Sequence, residues 1–226
     1  MDDSNLKEFL APTPLMPSDD PELQAYAQEI IVGASDEIDK ACRLYYAVRD
    51  NFRYDPYEIE LTPLGLSAKT CFTSQRGFCV TKSALLVTLA RASNIPARVG
   101  YADVRNHLST GRLKELMGTD IFIYHGYAEV HLDGRWVKAT PVFNLALCDK
   151  FRVLPLEFDG RADSLFHPHN ADNRRHMEYV NDHGTFAEVP ASEIIEAFKS
   201  TYPNMFVGDR IKTHGDFDAE AIAENS

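Results

Sequence analysis

The spacing of hydrophobic and polar residues predicts helices in the first half of the chain. Residues 22–32 and 36–51 carry apolar side chains three and four positions apart, as amphipathic helices do. Ser35 is the predicted N-cap of the second helix, whose first turn is acidic. A third helix is predicted over about 80–93, and it ends before Pro96 because the residue preceding a proline avoids helical geometry.

In the next part of the chain, apolar and polar residues alternate at every second position, as they do in β-strands. Residues 97–103 fit one strand, and 121–132 alternate up to Asp133-Gly134, a dipeptide typical of a tight hairpin turn. The return strand is predicted over 135–144. The polar stretches predicted to be loops are 53–78 and 104–120.

The rest of the sequence indicates how the domain is organised. Residues 146–190 are polar with weak periodicity, and a short helix is predicted over 191–200. We therefore expect a single domain over 1–226, with a core at about 22–150. The segments outside that core are predicted to be an ordered arm or lid and two irregular termini: 151–205, 1–20 and 213–226.

Composition and charge narrow the classes of function. Hydrophobic residues make up 44% and charged residues 25%, as in an ordinary globular protein. The formal net charge of −11 disfavours nucleic acid and anionic membranes as partners. The first ten residues lack the basic start and apolar run of a signal peptide, and no apolar run is long enough to span a bilayer, so we expect a cytoplasmic protein.

The cysteine and histidine spacings do not support a metal site. The four cysteines form no CxxC pair, and a protein without an export signal keeps them reduced. His167 and His169 resemble a metal-ligand pair, but we favour a polar surface segment there. No EF-hand loop is present. We predict no metal and no cofactor, and the oligomeric state is left open.

Cys79 is the cysteine whose position suggests chemistry. It lies between a glycine-containing loop, residues 75–78, and the start of the third predicted helix. The unpaired N–H groups and the dipole of a helix N-terminus stabilise a thiolate. Gly77 would let the backbone approach a substrate closely. The alternative is that Cys79 is a small buried hydrophobic residue, which is the usual role of a free cysteine.

The predicted hairpin presents His125 on a polar face. If Asp133-Gly134 is a two-residue turn, facing residues have numbers that sum to 267, and Thr140 and Asn144 are the diagonal neighbours of His125. The other face of the hairpin is apolar, as expected for a side packed on a core. A histidine in this position is either solvated or functional.

Two segments form a larger pattern. The cysteine segment contains Gly77-Phe78-Cys79, Ala84-Leu85, Leu89, Arg91-Ala92 and Ile95-Pro96-Ala97-Arg98, preceded by Asn94 where glycine is usual. The histidine segment contains His125-Gly126-Tyr127-Ala128-Glu129-Val130, Asp133-Gly134, Trp136 and Thr140-Pro141. Over about residues 77–141 the chain resembles the transglutaminase-like superfamily, a branch of the papain-like fold. The resemblance implies an α+β fold with helices packed on a short antiparallel β-sheet.

The resemblance also implies an enzyme with Cys79 as nucleophile and His125 as its base. The aspartate that orients the histidine in the family aligns with Thr140, and Asn144 is the other residue that could serve in its place. Backbone N–H groups near the helix start would hold the oxyanion, with Gln75 as a further candidate.

The implied reaction is acyl transfer or hydrolysis at the amide bonds of a peptide or protein substrate. Water as the second reactant gives an amidohydrolase or peptidase, and an amine gives an acyltransferase; the sequence leaves both open. The alternative function is a peptide-binding module that has the same fold and little or no catalytic activity.

Overall fold

The computed structural model of the protein describes residues 6–107, 109–166, 177–212 and 215–224. The helices within these residues are α1 Pro21–Ile31, α2 Glu37–Asn51, α3 Ala68–Ser74, α4 Cys79–Ala92, α5 Gly111–Met117, α6 Leu145–Phe151, α7 Ala191–Thr201 and α8 Phe217–Glu224. The strands are β1 Arg53–Tyr54, β2 Arg76–Gly77, β3 Ala97–Asn106, β4 Ile121–Leu132, β5 Arg135–Ala139, β6 Met177–Phe186, β7 Phe206–Val207 and β8 Arg210–Ile211. None of the described helices is long and apolar enough to cross a bilayer.

A four-stranded antiparallel sheet, in the order β5-β4-β3-β6, packs against the central helix α4. Helices α1, α2 and α3 surround α4 on its other sides. Residues 79–91 of α4 are all buried, because the helix is enclosed by both layers. The predicted α+β class, with helices packed on a short antiparallel sheet, is confirmed.

A buried lysine ties two of these helices together. The ammonium group of Lys82, on α4, donates hydrogen bonds to the main-chain oxygens of Arg49 at 2.9 Å and Phe52 at 2.6 Å. These carbonyls lie at the C-terminal end of α2, where the helix dipole favours a cation. Burial nevertheless lowers the pKa of Lys82 to about 7, because the charged form is poorly solvated inside the protein.

The hairpin has the predicted register. Ala128 pairs with Ala139 and Leu132 with Arg135, so that facing residue numbers sum to 267. Asp133 and Gly134 have φ values of 47° and 78°, as a tight turn with two left-handed residues requires. The return strand ends at Ala139 rather than at residue 144, close to Pro141, which has no N–H to donate to a ladder.

Part of the sequence motif has a structural role. Arg98 on β3 faces Glu129 on β4, and their side chains form an ion pair at 2.6 Å. The Arg98 guanidinium also lies 4.1 Å from the centre of the Trp136 ring. Together these contacts connect the three strands β3, β4 and β5 on the face away from α4.

Two short helices lie in stretches predicted to be loops. Ser67 caps α3 by accepting the N–H of Thr70, and Thr110 caps α5 by accepting the N–H of Leu113. Each helix has only seven residues, which is too few for an apolar repeat to distinguish it from a loop. In α2 the N-cap is Asp36, one residue after the predicted Ser35.

The C-terminal part of the chain is more regular than predicted. Strand β6 lies within the predicted arm, residues 151–205, but it pairs with β3 and extends the main sheet. The predicted irregular terminus, 213–226, contains α8, which forms because Phe217 packs on Tyr54 and Phe151 with ring centres 5.6 Å and 5.3 Å apart. His167 and His169 lie outside the described residues. Residues 6–20 contain one short 3-10 turn, Glu8–Leu10, and are otherwise irregular.

Candidate active site

Cys79 is the first residue of α4, as the sequence predicts. The preceding residue, Phe78, is extended, and its N–H donates to the hydroxyl of Thr81 at 3.2 Å. Gly77 is needed because a Cβ atom there would collide with Thr81 and would lie 2.8 Å from the sulfur of Cys71. The space beside Gly77 is therefore filled by α3 and α4, and it is not open to a substrate.

The Cys79 thiol is subject to two opposing effects. Burial is the larger, since the residue is only 7% exposed, and it raises the pKa of Cys79 to about 11. The backbone N–H groups of Gly126 and Val80 lower that pKa, but by less. From the sequence, the helix start favours a thiolate, with a small buried residue as the alternative. In the structure the helix N-terminus is covered, and this burial favours the neutral thiol.

His125 lies on the strand that packs against the start of α4. It is 4% exposed, and its ring centre lies 5.1 Å from that of Phe166. The next residue, Gly126, approaches the helix so closely that a Cβ atom would lie 2.9 Å from the main-chain oxygen of Cys79 and 3.0 Å from Cα of Val80. The N–H that faces the Cys79 sulfur belongs to the His125–Gly126 peptide.

A β-bulge precedes His125. Between Ala102 and Val104 the pairing of β3 with β4 shifts, and Tyr124 has a φ of 49°. The carboxylate of Asp103 accepts the N–H of Tyr124 at 3.0 Å and forms a 2.6 Å hydrogen bond with His183 of β6. The His183 ring stacks on Tyr124 with ring centres 4.0 Å apart. Bulges re-aim neighbouring side chains, so these groups help set the direction of His125.

Thr140 and Asn144 differ in their contacts. Thr140 is buried, and its hydroxyl has no hydrogen-bond partner among the described residues, while its main-chain oxygen accepts from the hydroxyl of Tyr45 at 3.3 Å. Asn144 lies beyond the end of β5, and its side-chain oxygen accepts the N–H of Tyr54 at 3.2 Å. The side-chain oxygen of Asn144 is thus already hydrogen-bonded to β1. Thr140 stays the predicted third residue of the site.

Gln75 stands apart from the buried residues of the site. It is exposed and has a left-handed backbone at the end of α3. Its main-chain oxygen accepts the N–H of Arg53 at 3.0 Å, which joins β1 to β2. The position of Gln75 is thereby explained by the backbone, and nothing in its contacts favours an oxyanion role.

Tyr101 is a buried polar group that the sequence did not reveal. It lies on β3 directly opposite Gly126 and is fully buried. Burial, and next the charge on a Cys79 thiolate, raise the pKa of Tyr101 well above its usual value, so the phenol lies within electrostatic range of the sulfur. Its hydroxyl has no hydrogen-bond partner in the described part of the chain.

A small pocket with a cavity volume of about 30 Å³ lies beside Cys79. Apart from the thiol, its walls are aromatic and aliphatic, and they come from four parts of the chain. The lining residues are Tyr54, Pro56, Ile59, Phe78, Cys79, Leu113, Met117, Phe122, Ile123, Phe198, Tyr202 and Met205. No charged side chain from the described residues lines it, and no group of three or more potential metal ligands is found in those residues.

The family model of the transglutaminase-like superfamily matches residues 24–141, just over half of the 226-residue chain. The match contains both Cys79 and His125. The chain belongs to the transglutaminase-like superfamily. This confirms the family that the two sequence segments resemble.

Several structures are similar to this member of the superfamily. A candidate cysteine protease from Cytophaga hutchinsonii is 20% identical with a TM-score of 0.48, over 81% of this chain and 55% of that one. The periplasmic domain of TgpA from Pseudomonas aeruginosa is 18% identical with a TM-score of 0.44, over 62% of this chain and 48% of that one. The chain thus spans about half the length of these proteins. No curated protein sequence matches it.

Proposed function

We propose that this transglutaminase-like protein is an enzyme that attacks amide or peptide carbonyls with Cys79 and uses His125 as general base. The observation that carries the proposal is the contact between the start of α4 and the His125–Gly126 peptide, whose N–H faces the Cys79 sulfur. A nucleophile and its base on two packed elements are the arrangement that covalent catalysis needs.

The neutral state of the thiol determines the order of proton transfers. With a pKa of about 11, Cys79 carries its proton at neutral pH. His125 takes this proton as the sulfur forms its bond to the carbonyl carbon, and it returns the proton to the amine as the C–N bond breaks. The product is a thioester on Cys79. Water or a second amine then attacks this thioester, again with His125 as base.

Three groups near the sulfur are suited to stabilise the negative oxygen of the tetrahedral intermediate. Two are the backbone N–H groups of Gly126 and Val80, which already face the sulfur. The third is the hydroxyl of Tyr101, a buried donor within electrostatic range of Cys79 that has no hydrogen-bond partner among the described residues. Thr140, which directly follows strand β5, is the proposed acceptor that orients the imidazole.

Labelling with an activated ester tests this function. On incubation with p-nitrophenyl acetate we expect one acetyl group, located by peptide mapping on Cys79, and none at this position in Cys79→Ala. Cys42 is the internal control, since it is half-buried and more accessible than Cys79. Acetylation of Cys42 before Cys79, or no acetylation at either residue, would refute a nucleophilic Cys79.

The second reactant distinguishes a hydrolase from a transferase. If the acyl-enzyme is given dansylcadaverine and a glutamine-containing protein, a transferase incorporates the fluorescent amine, whereas a hydrolase releases ammonia or cleaves the chain. The peptide-binding module is the second candidate function, and it is favoured by Thr140 in the position of the family's aspartate. Peptide binding that survives Cys79→Ala, together with no turnover by the parent, would select that module.

The proposed location is the cytoplasm and the proposed substrate a peptide or protein. All four cysteines are free thiols, which suits a reducing compartment. The net charge of −11 disfavours nucleic acid as a partner.

A further inference from the structure

We infer that the C-terminal segment, residues 177–205, positions His125, with His183 and Tyr202 as the positioning residues. This role rests on the proposed function, since His125 is taken as the base. Both residues lie beyond residue 141, where the family match ends. They act on the bulge segment, residues 121–124, which is the part of β4 immediately before His125.

The bulge determines the face of the sheet on which His125 lies. Ala102 pairs with His125 and Val104 with Phe122, so that two steps along β3 correspond to three steps along β4. One extra residue in a strand reverses the alternation of side chains between the two faces. Phe122 and His125 are three positions apart, and they share a face only because the bulge lies between them.

Two N–H groups of the bulge segment are bound by side chains. The hydroxyl of Tyr202 accepts the N–H of Ile123 at 2.7 Å and donates to the main-chain oxygen of Ile121 at 2.9 Å. The carboxylate of Asp103 accepts the N–H of Tyr124 at 3.0 Å. Backbone groups withdrawn from water require such partners, so these contacts fix the course of the chain into His125.

His183 holds both sides of this arrangement. Its Nε2 atom lies 2.6 Å from the Asp103 carboxylate, and its ring stacks on Tyr124 with ring centres 4.0 Å apart and planes 12° apart. Tyr124 has a φ of 49°, a left-handed conformation that is costly for a tyrosine and persists only where its surroundings enforce it. The bound N–H and the stacked ring of Tyr124 supply that enforcement.

Helix α7 connects the segments that precede the two proposed catalytic residues. The ring centre of Phe198 lies 5.4 Å from that of Tyr202, the residue after α7, and 6.4 Å from that of Phe78. Phe78 directly precedes Cys79. The C-terminal segment therefore contacts the residue before the nucleophile and, through Tyr202, the strand residues before the base.

Two variants test this role through the rate of Cys79 acylation by p-nitrophenyl acetate. Tyr202→Phe removes only a hydroxyl, and His183→Ala removes the contacts to Asp103 and Tyr124. Each should lower the rate about tenfold, because small displacements of a catalytic group are costly. In the His125→Ala background neither should lower it further, since a residue that acts through His125 has no effect once that ring is gone.

The control variants lose contacts of the same kinds elsewhere. The hydroxyl of Tyr46 accepts the N–H of Phe158 at 3.2 Å and donates to the carboxylate of Glu157 at 2.7 Å, so Tyr46→Phe matches Tyr202→Phe. The ring of His107, just after β3, lies 3.4 Å from the carboxylate of Glu178 on β6, so His107→Ala matches His183→Ala. Both controls should keep the parent rate, and thermal unfolding establishes that all four variants are folded.

NMR of ¹³C-labelled histidine gives a readout that does not require catalysis. The imidazole signals of His125, assigned with His125→Ala, are expected to shift in Tyr202→Phe and in His183→Ala and to stay in place in the two controls. Unshifted His125 signals, or equal losses of rate with and without His125, would overturn the positioning role even if the parent is acetylated at Cys79. Shifts confined to Tyr202→Phe and His183→Ala would support it even if Cys79 proves unreactive.

Discussion

At the scale of single residues, the reactivity of Cys79 depends on the balance between burial and hydrogen bonding. Burial raises its pKa to about 11, and the N–H groups of Gly126 and Val80 oppose this. At pH 7 only about one thiol in 10⁴ with such a pKa is ionised. A proton acceptor beside the sulfur is therefore needed for attack at neutral pH, and His125 is the proposed acceptor.

Replacing Tyr101 by phenylalanine tests the proposed oxyanion donor. The ring stays in place and only the hydroxyl is removed, so the fold should be kept. We expect the rate of Cys79 acylation to fall by about 10² at saturating ester, with little change in KM, because the lost hydrogen bond forms only in the transition state. Stopped-flow measurement of p-nitrophenol release gives both constants. An unchanged rate would remove Tyr101 from the site.

Thr140→Val tests the orienting hydroxyl. Because that hydroxyl is buried without a described partner, its loss should leave the free energy of unfolding unchanged or raise it by about 1 kcal/mol. The acylation rate should nevertheless fall, roughly tenfold, if the hydroxyl holds the imidazole during the reaction. Urea unfolding and acylation kinetics are compared. A stable variant with full activity would show that Thr140 does not orient His125.

Only some of these residues could be identified from the sequence. Cys79 and His125 were identifiable because they belong to segments with a characteristic order and spacing. Tyr101 was not identifiable, because nothing in the pattern ARVGYAD distinguishes it from the other residues of a strand. Its position opposite Gly126 depends on how β3 pairs with β4. The raised pKa of Cys79 was also missed, since it is caused by side chains distant in sequence that cover the helix start.

At the scale of elements, the site depends on how closely β4 approaches α4. Gly126 permits this approach, and nothing larger fits without moving the strand or the helix. The register of the hairpin was predictable from the Asp133-Gly134 turn. Several elements were missed, among them α3, α5, β6 and α8. These four are short or polar, and they are held in place mainly by tertiary contacts such as those of Phe217.

Gly126→Ala is predicted to separate the strand from the helix. The added methyl group would be 2.9 Å from the main-chain oxygen of Cys79, so the backbone must shift. We expect a loss of stability of about 1–3 kcal/mol and a fall in Cys79 acylation of about 10², as a displacement near 1 Å can cause.

The control is Gly118→Ala. A Cβ atom at Gly118 meets nothing within 4 Å, but its φ of 71° is unfavourable for alanine. This variant should lose about 1 kcal/mol of stability and keep the acylation rate. Equal acylation rates in the two variants would show that the approach of β4 to α4 is not what positions the site.

At the scale of the whole molecule, Lys82 should make stability depend on pH. Its pKa is about 7 in the folded protein and ordinarily 10.5. Between these values the unfolded chain binds a proton that the folded protein does not, so this group makes the free energy of unfolding rise with pH. In Lys82→Met this contribution is absent. The difference in unfolding free energy, parent minus variant, should increase by about 2 kcal/mol from pH 7 to pH 9.

Urea unfolding at pH 7, 8 and 9 measures this difference. Lys69→Met is the control, because ion pairing with Glu22 and Asp20 raises the pKa of Lys69 above its ordinary value and leaves it protonated in both states over this range. If the difference in unfolding free energy between the parent and Lys82→Met stays constant with pH, the lowered pKa of Lys82 is contradicted.

The pairing of Cys79 with His125 is tested most directly by the pH dependence of Cys79 acylation in the parent and in His125→Ala. At pH 8 the parent should react about 10²–10⁴ times faster, because only it has a base to accept the thiol proton. Without that base, the rate of the variant should rise about tenfold per pH unit towards the thiol pKa near 11. Identical profiles for the two proteins would contradict the proposed pair.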